Sequence, residues 1–136
     1  MTENRPLDIA PAERRVLSSL KKRPGMYLGT KSFKAFVAWM HGYSLALSTA
    51  KIPSEQHNLL PDGMHEYAAK KYLGDEDYVG PLGWMSFIEM HVEHDDKKAL
   101  DEFFSFLDEY LIHLRYEPVP DWDEEHKKFY AENFGE

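Results

Sequence analysis

At 136 residues, the chain is long enough for one domain with a buried core, and eight Phe, eight Tyr and three Trp supply apolar surface for it. The absence of Cys excludes disulfides, thiolate metal sites and a cysteine nucleophile. The formal net charge of −8 divides into +5 on residues 1–74 and −13 on residues 75–136, and so acidic a half repels nucleic acid.

Two helices are predicted in the first third of the chain. The first runs from Pro11, which suits a first helical turn, to about Lys22, where cations complement the helix C-terminus. The second has Ser32 as N-cap and runs to about Ala50. Because it is apolar around its circumference, we expect it to be the buried centre of the domain, with Gly42 at a close helix crossing.

The remaining elements are also predicted to be helical. A loop is predicted over residues 51–63. One short helix then covers Met64 to Tyr72, with Gly74 as the residue that closes it, and another covers Trp84–His91. The clearest helix begins at Asp95 or Asp96, extends to about Leu114 or Arg115, and carries an apolar stripe: Leu100, Phe103, Phe104, Leu107, Tyr110, Leu111 and Leu114.

These patterns predict a compact all-α bundle of five to six helices in a single domain spanning residues 1–136. We expect residues 1–10 to be flexible and residues 116–136 to form an amphipathic C-terminal extension that packs on the bundle.

One heptapeptide resembles a stretch near the start of the ATPase domains of type II topoisomerases: Arg23, Pro24, Gly25, Met26, Tyr27, Leu28 and Gly29. Those domains also need Asp-x-Gly-x-Gly and a glycine-rich lid. The chain has no Asp-x-Gly-x-Gly, and Gly80-Pro81-Leu82-Gly83 has the wrong spacing, and a Pro, for a phosphate cradle. We therefore expect a structural turn that does not bind ATP, with Tyr27 and Leu28 largely buried.

Possible metal ligands concentrate between two predicted helices: Glu89, His91, Glu93, His94, Asp95 and Asp96. Because no second pair has ligand spacing, we expect no metal and no cofactor. Neither a Gly-x-Ser-x-Gly elbow nor a carboxylate pair in an evident cleft predicts a catalytic residue. A small metal-dependent hydrolase that uses His91, His94 and Asp95 is the alternative.

An acidic face is predicted on the helix over residues 95–115 and on the segment after it: Asp101, Glu102, Asp108, Glu109, Asp121, Trp122, Asp123 and Glu124. Such a face is either an ordinary solvated surface or an electronegative recognition surface. Tyr110, Trp122 and Tyr130 would serve as anchors among charges that steer association. We predict that the eight residues bind a basic protein partner, and we expect the first four to be exposed.

Four stretches together resemble a group of small bacterial proteins: the heptapeptide, Phe36 to Gly42-Tyr43, Gly83-Trp84 and residues 99–110. Many of those proteins look like immunity proteins encoded beside polymorphic or contact-dependent toxins. The resemblance covers about residues 14–115 and implies a non-enzymatic domain that blocks a cognate toxin. A nuclease with a basic cleft suits an acidic surface. The other alternative is a helical adaptor or regulatory module.

The sequence has no run with the length of a signal peptide's apolar segment or of a membrane span. We therefore expect a cytoplasmic protein with no membrane partner and no nucleic-acid partner.

Overall fold

The structure is a computed structural model, and it describes residues 11–52 and 59–135. Within those ranges the chain forms seven helices and no β-strand: α1 (Pro11–Lys22), α2 (Pro24–Leu28), α3 (Phe33–Thr49), α4 (Met64–Ala68, continued by a π-helical turn over Ala69–Leu73), α5 (Trp84–His91), α6 (Asp96–His113) and α7 (Trp122–Phe134). The predicted all-α class is confirmed. The expectation that residues 1–10 are flexible lies outside the described residues, and so do residues 53–58 of the predicted loop.

Helix α6 forms the centre of the described core. Eight of its residues are buried, at the spacing of one broad helical face: Ala99, Leu100, Phe103, Phe104, Phe106, Leu107, Tyr110 and Leu111. The Phe103 ring centroid lies 4.7 Å from that of Phe36 on α3 and 5.5 Å from that of Trp84 on α5. Asp95 starts the helix by accepting a hydrogen bond from the Lys98 backbone N–H at 3.1 Å. Aromatic packing therefore holds α6 between α3 and α5.

Helix α3 is not the buried centre that its apolar sequence predicts. Its first half is buried through Phe33, Phe36 and Met40. In its second half Leu45 is 68% exposed, and a Cβ added at Gly42 would meet no described atom within 4 Å. The predicted close crossing at Gly42 is therefore wrong. His41, Ser44, Ser48 and Thr49 interrupt the apolar pattern of this half, so it has no continuous apolar stripe to bury.

The Arg23–Gly29 heptapeptide folds as a short helix rather than as the predicted turn. Pro24 occupies its first position, where a missing N–H costs nothing, and Gly29 ends it with a φ of +82°. A single helical turn cannot direct three consecutive side chains towards the core. Tyr27 is therefore 47% exposed, which corrects the prediction that it is largely buried, whereas Leu28 is half-buried.

The predicted short helix after the loop has two parts. Helix α4 continues into a π-helical turn, and Gly74 ends that turn in the left-handed conformation at φ +73°. Gly74 is the predicted end of this element, but the sequence does not indicate the wider turn. Tyr72 in the π turn faces α6, with its ring centroid 5.8 Å from that of Phe106.

The C-terminal helix contacts α1. No residue of α7 is buried, and two cations of the N-terminal region lie over its rings. The Arg15 guanidinium carbon is 4.8 Å from the centroid of Phe129, and that of Arg23 is 4.6 Å from the centroid of Trp122. Cation–π contacts contribute about 0.5–1 kcal/mol each at exposed positions. Surface contacts, rather than a fully buried stripe, therefore hold α7 in place.

Candidate functional site

The acidic face predicted on α6 forms hydrogen bonds within the protein. Asp101 accepts one from the Lys31 ammonium group at 2.8 Å, and Glu102 accepts one from the Tyr72 hydroxyl at 2.5 Å. Asp101 is exposed, whereas Glu102 is half-buried. These two carboxylates connect α6 to the segment just before α3 and to the π turn.

Asp108 connects α6 to two further parts of the chain. Its carboxylate accepts a hydrogen bond from the Lys21 ammonium group at 3.0 Å and another from the Val119 backbone N–H at 2.8 Å. Val119 is itself buried and precedes α7. Asp108 thus helps to fix both the end of α1 and the segment that leads into α7.

Glu109 accepts hydrogen bonds from the Lys71 ammonium group at 2.6 Å and the Tyr67 hydroxyl at 2.8 Å. Burial opposes the ionisation of Glu109, but these two bonds outweigh it and lower the pKa of the carboxyl. Burial and the bond to Glu109 raise the pKa of Tyr67 to about 12, and burial and the bond to Glu102 raise the pKa of Tyr72. Both phenols are therefore neutral hydrogen-bond donors at physiological pH.

The expectation that all four α6 carboxylates are exposed is wrong for Glu102 and Asp108, which are half-buried. The helical pattern correctly separates these residues from the core stripe. It does not show that hydrogen-bond donors from α1, α4 and the π turn approach the same side. Charge reversal at these positions would therefore disturb internal bonds as well as any interface.

The first turn of α7 carries the acidic residues with fewer internal contacts. Asp121 is the N-cap, whose carboxylate accepts a hydrogen bond from the Glu124 backbone N–H at 3.1 Å. Asp123 is exposed and lies 4.0 Å from the Lys22 ammonium group, the limit for an ion pair. Glu124 is exposed, and no described group donates to its carboxylate. This turn therefore presents negative charge to solvent.

Aromatic rings lie beside those charges. Trp122 is half-buried and stacks on His126 with a centroid separation of 4.7 Å. Further along α7, Tyr130 is 50% exposed and Phe134 is 66% exposed, and their centroids lie 5.0 Å apart. A helix that combines exposed aromatic rings with a solvated charged turn is typical of protein-binding surfaces.

A groove with a volume of about 430 Å³ lies between α1 and α7. Five aromatic residues line it: Tyr27, Trp39, Trp122, Phe129 and Tyr130. Its volume is within the range of about 300–1,000 Å³ that is usual for ligand sites. The groove also accounts for the partial exposure of Tyr27, whose ring forms part of its wall.

The residues considered as possible metal ligands have separate local roles. The His91 ring packs on Tyr72 at a centroid distance of 5.1 Å, and Asp95 caps α6. His94 lies in the turn between α5 and α6 with a φ of +61°. In the described part of the chain, no three His, Asp or Glu side chains come together as metal ligands. The arrangement lends no support to the hydrolase alternative.

Comparison with protein-family models, with curated proteins and with solved structures finds no match. Among the described residues, no helix has the length and apolar character needed to cross a bilayer. The functional assignment therefore depends on the surfaces described above and on the local resemblances in the sequence.

The sequence does not predict the groove, although two of its lining residues are predicted to take part in binding a partner. Trp122 and Tyr130 are predicted from the sequence as aromatic anchors in an amphipathic segment. No local pattern places Trp39 of α3 or Tyr27 of α2 against that segment, because both are distant in sequence. The groove is a consequence of tertiary packing.

Proposed function

We propose that the chain is a non-enzymatic protein-binding domain and, more specifically, an immunity protein that neutralises a cognate toxin. The observation that carries the proposal is the surface of α7, where exposed Asp123 and Glu124 lie next to Trp122 in a helix that also exposes Tyr130 and Phe134. The local resemblance to immunity proteins supports the finer assignment.

Helix α7 suits an interface because its charged and aromatic groups have complementary roles in binding. Large aromatic side chains contribute most of the binding energy at protein interfaces, and exposed charges accelerate encounter with a partner of opposite sign. Asp121 continues the acidic turn at the N-terminus of the helix. The α6 residues Asp101, Glu102, Asp108 and Glu109 then contribute mainly through their long-range field.

The charge distribution favours a basic partner. Residues 75–136 carry eighteen Asp and Glu against five Lys and Arg. A nuclease toxin has a basic cleft that binds phosphates, and an acidic helix laid across it would exclude the substrate. We place this interaction in the cytoplasm, where a nuclease toxin meets its substrate.

The test is co-expression with the product of the adjacent gene, scored by cell survival and by isolation of a complex. Two double variants have the same change of charge. Asp123→Lys/Glu124→Lys alters α7, and Glu76→Lys/Asp77→Lys alters two exposed residues in the link between the π turn and α5. We expect the α7 variant to bind at least about tenfold more weakly and to lose protection, whereas the control variant retains both.

Unchanged circular dichroism and melting temperature in both variants would show that binding, not folding, is compared. Equal affinity of the α7 variant and the wild type would exclude α7 as the interface. An adjacent product that is neither toxic nor bound would refute the immunity assignment. Binding to a harmless helical segment would instead indicate the adaptor alternative.

A further inference from the structure

We infer that the groove between α1 and α7 binds a small planar aromatic carboxylate. This inference does not depend on the proposed function, because it concerns a free ligand and its test needs no protein partner.

Two of the aromatic rings that line the groove stack on neighbouring rings of the protein. Trp39 stacks on Phe36, which is fully buried, with 6.5 Å between centroids, and on Tyr43 with 5.2 Å. Trp122 stacks on His126 at an interplanar angle of 16°. Rings held in this way need little reordering when a ligand binds, which reduces the entropic cost of binding. The apolar walls therefore suit a flat ligand of one or two fused rings.

The cations beside the groove favour a negatively charged ligand. Arg15 lines the groove, and Arg23 lies over the Trp122 ring. Among the described residues, no carboxylate pairs with either guanidinium group, although Lys21, Lys31 and Lys71 all have carboxylate partners.

Glu125 is the one carboxylate among the described lining residues, and it lies 3.7 Å from the Lys128 ammonium group. Arg15 is thus a lining cation without a carboxylate partner among the described residues, and a guanidinium group pairs well with a carboxylate.

Ser18 provides a second and independent observation. It belongs to the lining of the groove and is 2% exposed, and its buried hydroxyl has no hydrogen-bond partner among the described atoms. Buried hydroxyl groups are normally hydrogen-bonded, so Ser18 leaves an unused polar atom in the wall of the groove. Ser18 follows Arg15 by three residues in α1, so the two are neighbours on the helix surface, and a carboxylate that pairs with Arg15 would lie on the same side of the helix.

The test is titration of the full chain with 2-naphthoate, followed by calorimetry and by tryptophan fluorescence. Two of the three Trp residues line the groove, so saturation should change the emission. We expect saturable binding at a ratio of one to one. The neutral isostere 2-naphthamide should bind the wild type about tenfold more weakly than 2-naphthoate does, because it lacks the charge-assisted contact. For the same reason, the Arg15→Gln variant should bind 2-naphthoate about tenfold more weakly than the wild type does.

Three further variants separate the effect on the site from effects on folding. Lys97→Gln removes one exposed cation from α6 and should leave the affinity unchanged. Arg15→Lys keeps the charge and should bind more tightly than Arg15→Gln. Tyr130→Ala shortens one wall at a half-exposed position and should weaken binding without unfolding the protein.

Absence of binding to the folded wild type at millimolar 2-naphthoate would overturn the inference, as would unchanged affinity in Tyr130→Ala. Equal affinities for the carboxylate and the amide would overturn the assignment of the anionic group.

Discussion

Replacing Glu109 with Ala should destabilise the protein, although the sequence places this residue on a solvated helix face. The change removes the acceptor of two hydrogen bonds, at 2.6 Å from Lys71 and at 2.8 Å from Tyr67. The Lys71–Glu109 pair has side chains that are 32% and 44% exposed, so solvent screening limits it to about 0.5–1 kcal/mol. The Tyr67 bond adds about 1 kcal/mol. We expect a loss of about 1–2 kcal/mol in the free energy of unfolding by urea.

Glu124→Ala is the matched control, because Glu124 is also an exposed glutamate in a helix but has no described donor. We expect that variant to remain within about 0.5 kcal/mol of the wild type. A double-mutant cycle that adds Lys71→Ala should give a coupling energy of about 0.5–1 kcal/mol with Glu109. If Glu109→Ala and Glu124→Ala unfold at the same urea concentration as the wild type, the internal role of the α6 carboxylates is refuted.

Gly63→Ala should lower the melting temperature and cost about 1–3 kcal/mol, because Gly63 has a φ of +89° and an added Cβ would collide with the Tyr110 hydroxyl. An unchanged melting curve would contradict that packing. The pKa of Tyr67 is about 12 in the folded protein and returns to the ordinary value of 10.0 on unfolding. The stability that its neutral hydroxyl contributes is therefore fully present below pH 10 and is lost as the pH rises to about 12. In urea titrations across this window the wild type should lose stability more steeply than Tyr67→Phe; parallel curves would argue against the raised pKa. Phe36→Asp should abolish the cooperative unfolding transition at 25 °C, because it buries an unpaired charge at a cost of several kcal/mol. A cooperative transition like that of the wild type would contradict the assignment of Phe36 to the core.

Local signals in the sequence locate the helices well. Ser32 and Asp95 each accept a backbone hydrogen bond as N-caps at the predicted starts of α3 and α6, and Gly74 ends the π turn as expected. The apolar stripe of α6 is buried in the structure except at its end, where Leu114 is half-buried. Capping and periodicity depend on neighbouring residues, which is why a single sequence reveals them.

Contacts between distant segments were not predictable in the same way. The apolar pattern of α3 suggested a central helix, but the large buried rings that fill the core are mainly those of α6. The pairing of Asp108 with Lys21 and the placing of Tyr27 beside α7 depend on how the helices approach one another. The candidate surfaces are therefore only partly readable from the sequence, because their geometry is set by tertiary packing.

The most direct test of the proposed function is backbone hydrogen–deuterium exchange of the protein, alone and in complex with the product of the adjacent gene. Because α7 has no buried residue, its amides should exchange readily in the free protein and become protected in the complex. We expect the increase in protection to be concentrated in Trp122–Phe134, with little change in α6, which is already in the core. Unchanged exchange in α7, with new protection elsewhere on the protein, would contradict the assignment of α7 as the binding surface.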